Sequence, residues 1–169
     1  MFDGFCYVGQ WAIRAAKAGA DRVVAVDSSN PAIEQAKANA ERNGVAGLCR
    51  FEAGDVTDWL NKGDKYDVVC IDPPALAKSR AHVEKSMMRY QGLNRDALKA
   101  VNPAGGFLIT STCSNPVTQD IFLEMLKRAA RSAQRSIRVL AINGAPADHP
   151  VLLAMPETSY LTNVVVRVD

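Results

Sequence analysis

Apolar and polar positions alternate along the chain in blocks of two kinds. Short β-branched or apolar runs cover residues 1–6, 22–26, 48–53, 66–71, 106–111, 137–142 and 160–168. Ala-rich stretches with apolar residues at helical spacing lie at 10–18, 30–43, 80–101 and 117–133. In the second of these, Ile33, Ala36 and Ala40 share one face. Ser29-Asn30-Pro31 supplies a cap followed by a first-turn proline, and Asn43-Gly44 supplies a stop. Strand and helix taking turns in this way predict an α/β fold, a mostly parallel doubly wound sheet with helices on both faces. The last two runs break the rhythm. The connection between them, 143–159, carries three prolines and one glycine. It reads as a loop, and a strand reached that way is free to enter antiparallel. The run 1–6 would be the central strand with no leading helix to cover it, so the expectation is an N-terminally truncated domain.

Composition narrows the class. The length of 169 residues fits one domain, 1–169, and an apolar fraction of 48% excludes a disordered chain. Lys plus Arg number 20 against 18 Asp plus Glu, a net charge of +2 that permits an RNA partner without demanding one. No apolar run approaches the roughly 18 residues of a membrane span, and the N-terminus lacks a Lys/Arg-led signal. The expectation is a cytoplasmic protein with no membrane partner. Whether it is a monomer or a homodimer stays open. The four cysteines, Cys6, Cys49, Cys70 and Cys113, form no CxxC pair, and only His82 and His149 could join them, so no metal is expected. Cys6, Cys49 and Cys70 sit in apolar runs and read as small core residues of a reducing compartment.

In open α/β sheets ligands bind beyond the carboxyl ends of the strands. The first four runs end in Asp3-Gly4-Phe5-Cys6-Tyr7-Val8-Gly9, Val26-Asp27-Ser28-Ser29, Gly54-Asp55-Val56 and Ile71-Asp72-Pro73-Pro74. Each carries an acid. Asp27 lies 18 residues after Gly9, where a carboxylate can accept both hydroxyls of a ribose. Asp55 can accept from an adenine amino group, and Asp3 can face an ammonium. The first turn is not the G-x-G-x-x-G that a pyrophosphate needs. S-adenosylmethionine, which has no phosphate and carries an ammonium, suits an acid-lined site better. The competing reading is that these acids merely cap strand ends and start helices.

Two loops carry candidate chemistry. Asp72-Pro73-Pro74 is stiffened by its prolines and can present a carboxyl group to a planar base. Ser111-Thr112-Cys113-Ser114-Asn115-Pro116 follows the next run, so Cys113 falls on the same rim as Asp72. A nucleophilic cysteine must be a thiolate, and the end of the helix beginning near Val117 is expected to help lower its pKa.

These residues, with Tyr90, Leu93-Asn94, Thr112-Cys113-Ser114, Asp148-His149-Pro150 and Pro156-Glu157 with Tyr160-Leu161, run in an order that resembles the catalytic domain of the RlmI-type 23S rRNA (cytosine-C5) methyltransferases. The resemblance implies a Rossmann-like class I methyltransferase with a seven-stranded sheet and an antiparallel last strand, using S-adenosylmethionine. It implies that Asp3, Phe5, Tyr7 and Gly9 hold the methionine part of the cofactor. Asp27 with Ser28 takes the ribose and Asp55 with Val56 the adenine, while Asp72 and Pro73 close the site. Cys113 would attack C6 of a cytosine in RNA, with 23S rRNA as the implied partner, and Asp72 would hold N3. Two departures stand out. Gln10 follows Gly9 where the family has a second glycine, which would crowd the turn. The family's N-terminal RNA-binding PUA domain and linking segment precede its catalytic core, and residues 1–169 are expected to represent that core without them.

For the substrate, Pro74, Lys78, Arg80, Tyr90 and His149 are the candidate contacts. Residues 76–99 hold six Lys/Arg beside Asp72 and form the best RNA face. Tyr90 on that segment is expected to stack on or hydrogen-bond a base. A second cluster, Lys127, Arg128, Arg131, Arg135 and Arg138, reads as solvated surface. Two alternatives remain: a methyltransferase acting at another nucleic-acid position such as guanine N7, and a non-catalytic remnant that binds S-adenosylmethionine weakly.

Overall fold

The computed structural model describes residues 1–77 and 83–169. Seven strands form one sheet: β1 (Phe2–Gly4), β2 (Val23–Asp27), β3 (Cys49–Ala53), β4 (Val68–Ile71), β5 (Gly106–Thr112), β6 (Ile137–Asn143) and β7 (Thr162–Val168). Among the described residues five α-helices accompany them: α1 (Gln10–Lys17), α2 (Asn30–Arg42), α3 (Val56–Leu60), α4 (Val83–Ala100) and α5 (Gln119–Ala133). The strand order is β3-β2-β1-β4-β5-β7-β6. β1 pairs in parallel with both β2 and β4, so Asp3 lies opposite Ala25 on one side and Cys70 on the other. The order reverses between β1 and β4, which makes that junction the switch point. β7 enters antiparallel beside β5, from Gly106↔Val168 to Thr112↔Thr162, as the helix-free connection allowed. β6 pairs with β7 at the edge, with a register shift between Val139 and Ala141.

The two faces of the sheet bury separate cores. Under α4 and α5 lie Phe2, Ile71, Tyr90, Leu98, Leu108, Phe122 and Val166. Under α1 and α2 lie Cys6, Ile13, Val23, Ile33 and Phe51. In α5, Phe122, Met125, Leu126, Ala129, Ala130 and Ala133 are buried, the i, i+3, i+4, i+7 stripe of a core-facing helix. Thr118 caps it by accepting from the Ile121 amide, and Ser29 caps α2 through the Ala32 amide.

Several elements depart from the sequence reading. The first strand stops at Gly4, because Phe5 (φ 64°) and Tyr7 (φ 48°) take left-handed backbone and reverse the chain. α3 was not foreseen, since five residues are too few to show a helical period. The connection after β6 contains a 3-10 turn, Pro156–Thr158. Cys49 is half-buried rather than a core residue, whereas Cys6 and Cys70 are buried.

The ring of Phe122 is fully buried and meets Tyr90 edge-on at 5.8 Å between centroids. Phe122→Ala should destabilise the fold by about 3–5 kcal/mol, read as a lowered denaturation midpoint.

Candidate active site

Parallel β1 to β5 point their carboxyl ends at one rim, and Asp3 sits just below it in the centre of the shortest strand. Its side chain is fully buried. Oδ2 accepts from the Ala12 amide of α1 at 2.9 Å, and Oδ1 has no partner among the described residues. Burial pushes the carboxyl up from 3.8 to about 7; the Ala12 amide opposes this, and the charges of Asp72 and Asp27 add to it. A buried carboxylate with a free oxygen calls for a donor, and a ligand ammonium is one.

Asp27 ends β2 and ties two segments together. Oδ2 accepts from the Tyr7 amide and Oδ1 from the Ser29 amide, both at 2.9 Å. Each oxygen keeps a lone pair for a further donor. Tyr7 itself is largely exposed, Phe5 packs against the α4/α5 core and Ser28 is exposed. Gly9 has φ 84°, and a Cβ there would meet Phe51 at 2.9 Å, so glycine is required. Gln10, which follows it in place of a second glycine, is exposed and lines a cleft with Val8 and Arg14. Asp55 is the N-cap of α3: Oδ1 accepts from Thr57 N at 2.7 Å and Asp58 N at 3.3 Å. The capping reading of this acid is therefore realised, with Oδ2 left for another donor. Val56 is buried against Gly4.

The Cys113 loop meets the Asp72-Pro73-Pro74 loop at the rim. The Cys113 Sγ lies 3.9 Å from the Pro73 carbonyl oxygen. Pro73 is buried and Pro74 exposed. Burial pushes the Cys113 thiol up, and the negative charge of Asp72 pushes it further. The net shift is upward rather than the expected lowering: burial and the Asp72 charge outweigh the Cys113 backbone hydrogen bond, which acts the other way, and α5 begins only at Gln119. Trp11, which the sequence reading passed over, donates from Nε1 to Asp72 Oδ2 at 3.3 Å. Its signal was available, since a half-exposed indole in the first turn of α1 must lie at the rim. Beside Asn115 a cleft of about 1020 Å³ opens between the start of α5 and the β6–β7 connection.

Tyr90 requires a correction. It is fully buried, and its hydroxyl is bonded to Thr112, Ser114 and Leu76 N, so it presents no ring to a base. His149 is exposed and its ring faces Asp148 at 3.3 Å, in the loop after β6. No hydrogen bond joins it to the Cys113 or Asp72 loops among the described residues. Lys78 and Arg80 lie outside the described residues. Of the remaining basic residues of that segment, Lys85 and Arg89 are exposed near the start of α4, whereas Arg95 is paired with Asp96 at 2.8 Å. On α5, Lys127 and Arg128 pair with Glu124. Arg135 holds the carbonyls of Val101, Asn102 and Asp169, a structural task rather than a merely solvated one.

Among the described residues no helix is long and apolar enough to cross a membrane, and no group of three or more His, Cys, Asp or Glu is placed to hold a metal ion. Residues 1–150 match the methyltransferase domain family. Ribosomal RNA large subunit methyltransferase I of Aeromonas hydrophila is 38% identical over 99% of this chain and 43% of its own length. The protein of the same name from Photobacterium profundum is 36% identical over 95% of this chain and 42% of its own. The chain thus spans less than half the length of these relatives. In fold it is similar to SMU.776 complexed with SAH (TM-score 0.84, 22% identity, 98% of this chain and 44% of that one). It is also similar to TrmN from Thermus thermophilus (TM-score 0.67, 19% identity, 98% and 42%).

Asp3 generates a pH prediction. Its folded pKa lies above its unfolded one, so its stabilising contribution is complete below about 3.8 and is lost as pH rises through about 7. Asp3→Asn keeps an acceptor for Ala12. The stability of the wild type should fall relative to this variant across that window by on the order of 4 kcal/mol, measured by denaturant titration at each pH.

Proposed function

This chain belongs to the methyltransferase domain family, and we propose that it is an S-adenosylmethionine-dependent RNA methyltransferase forming 5-methylcytosine in large-subunit ribosomal RNA. The observation that carries the proposal is the meeting of the Cys113 loop with the Asp72-Pro73-Pro74 loop, Sγ to carbonyl at 3.9 Å. Guanine N7 and exocyclic amines are already nucleophiles and need no covalent help. C5 of cytosine is not one, and a thiol beside a carboxyl group is what it needs. The 38% identity to a ribosomal RNA large subunit methyltransferase supports the same substrate class.

The residues fit the cofactor. The unpartnered Asp3 Oδ1 would take the amino-acid ammonium, with Phe5, Tyr7 and Gly9 around the methionine chain. Asp27 beside Ser28 would accept from the ribose hydroxyls, and the free Oδ2 of Asp55 beside Val56 from the adenine amine. When bound, S-adenosylmethionine supplies an electrophilic methyl group. The chain's own work is to activate the base. Cys113 would pass its proton to Asp72 as Sγ bonds to C6, and Asp72 would share that proton with N3, so that the C5–C6 π electrons become available at C5. Once C5 carries the methyl group, transfer of its proton to solvent water would re-form the C5–C6 double bond and break the C6–S bond, and the thiolate so released regains its proton as N3 returns its own through Asp72. The base must be unpaired or flipped to reach this rim. Lys85 and Arg89 offer phosphate contacts at the near end of α4.

Calorimetric titration with S-adenosylmethionine and methyl transfer to ribosomal RNA test the reading together. Asp27→Ala should weaken cofactor binding roughly 10- to 100-fold. Cys113→Ala should bind the cofactor normally and transfer no methyl group to cytosine. Full transfer by Cys113→Ala would favour an N7 or amine target, and a folded chain that binds no cofactor would favour the remnant.

A further inference from the structure

Beneath the rim lies a buried polar cluster that the proposed chemistry does not use. The Tyr90 hydroxyl accepts from Thr112 Oγ1 at 2.9 Å and, more loosely, from the Leu76 amide at 3.5 Å. It lies 3.0 Å from Ser114 Oγ. A phenol has one proton and two lone pairs. With both lone pairs engaged, its proton goes to Ser114. Ser114 Oγ also accepts from the Ala77 amide at 3.0 Å, and the Ser114 amide donates to Thr112 Oγ1 at 3.2 Å. Ser86 on α4 adds a bond to the Leu76 carbonyl at 2.7 Å. Tyr90, Thr112 and Ser114 are all fully buried.

The connectivity is specific. Thr112 and Ser114 are the two neighbours of Cys113. Leu76 and Ala77 follow Asp72-Pro73-Pro74 after one residue, Ala75. One hydroxyl on α4 therefore joins the loop bearing the nucleophile to the loop bearing the carboxylate. We propose that Tyr90 is a positioning residue whose hydroxyl, acting with Ser114 and Thr112, holds the Cys113 thiol at a set distance from Asp72. The proposal rests on the methyltransferase reading for its catalytic consequence but not for its geometry. Hydrogen bonds in a dry environment hold direction as well as distance, and Tyr90 is also gripped edge-on by Phe122. The arrangement gives a reason for a buried phenol at this place, where phenylalanine would pack equally well.

Tyr90→Phe keeps the ring and removes the clamp. The test follows alkylation of each cysteine by iodoacetamide across pH, with mass spectrometry to separate the four sites, alongside methyl transfer. Released from the clamp, Cys113 moves out of its burial and away from Asp72. Its alkylation should quicken several-fold near neutral pH and its pH midpoint should fall, while Cys6 and Cys70 stay protected. Methyl transfer should drop in kcat by roughly 10- to 100-fold, as misplacement of a reacting group does, with KM for the cofactor unchanged. Ser114→Ala should reproduce both effects, and the double variant should add little to either. Faster labelling of Cys6, Cys70 and Cys113 together would mean general loosening and would overturn the proposal. So would a Cys113 profile within about twofold of wild type, given how closely thiol reactivity follows its surroundings. A wild type without methyl transfer would defeat the functional reading alone, because the alkylation profile reports the clamp independently.

Discussion

The pairing of β1 between β2 and β4 is the constraint on which the candidate site depends. β1 has only three residues, yet its parallel register on both sides places Asp3 at the centre of the sheet and turns the chain over at Phe5. That turn brings the Tyr7 amide onto Asp27 and the Asp72 amide to the Gly4 carbonyl. Three of the four rim carboxylates are thereby assembled around one short strand. Its neighbours hold it by ladders and by Phe2 and Gly4, packed into the α4/α5 core.

Gathering carboxylates this closely is unfavourable in itself. Burial raises the cost of ionising Asp3, and the charges of Asp72 and Asp27 add to it. The fold offsets this with backbone and indole donors: Ala12 N for Asp3, Tyr7 N and Ser29 N for Asp27, and Trp11 Nε1 for Asp72. Asp3 Oδ1 is left over. A site that keeps acids short of donors favours a cationic ligand over a phosphate. Burial and the charge of Asp72 likewise work against the thiolate of Cys113 and push its pKa up.

The layer under the rim is polar where a core would ordinarily be apolar. Thr112, Ser114 and Tyr90 are buried together and joined by hydrogen bonds between the end of β5 and α4. Apolar residues of similar size would pack there too. Hydrogen-bonded ones select a single arrangement of two loops, because each alternative would strand a buried polar atom.

Much of the fold was legible in the chain. Helical and strand periods, the Ser29 and Thr118 caps and the helix-free connection before β7 are local, and local sterics and burial determine them. The acids at the strand ends were legible too, because alternating elements place every such end on one rim. What escaped was decided by contacts between residues far apart in sequence. The left-handed turn at Phe5 and Tyr7 depends on Asp27 accepting an amide twenty residues away. Whether Tyr90 faces a base or the core depends on Thr112 and Ser114 arriving from β5. The upward direction of the Cys113 pKa is set by burial and the Asp72 charge, which the sequence neighbours of the cysteine do not reveal. The sequence by itself determined the order of elements and the chemical types along the rim, since periodicity and turn chemistry act over a few residues. Tertiary structure alone decided which side chains face the rim and which are buried beneath it, because desolvation and hydrogen-bond partnership exist only once distant segments meet.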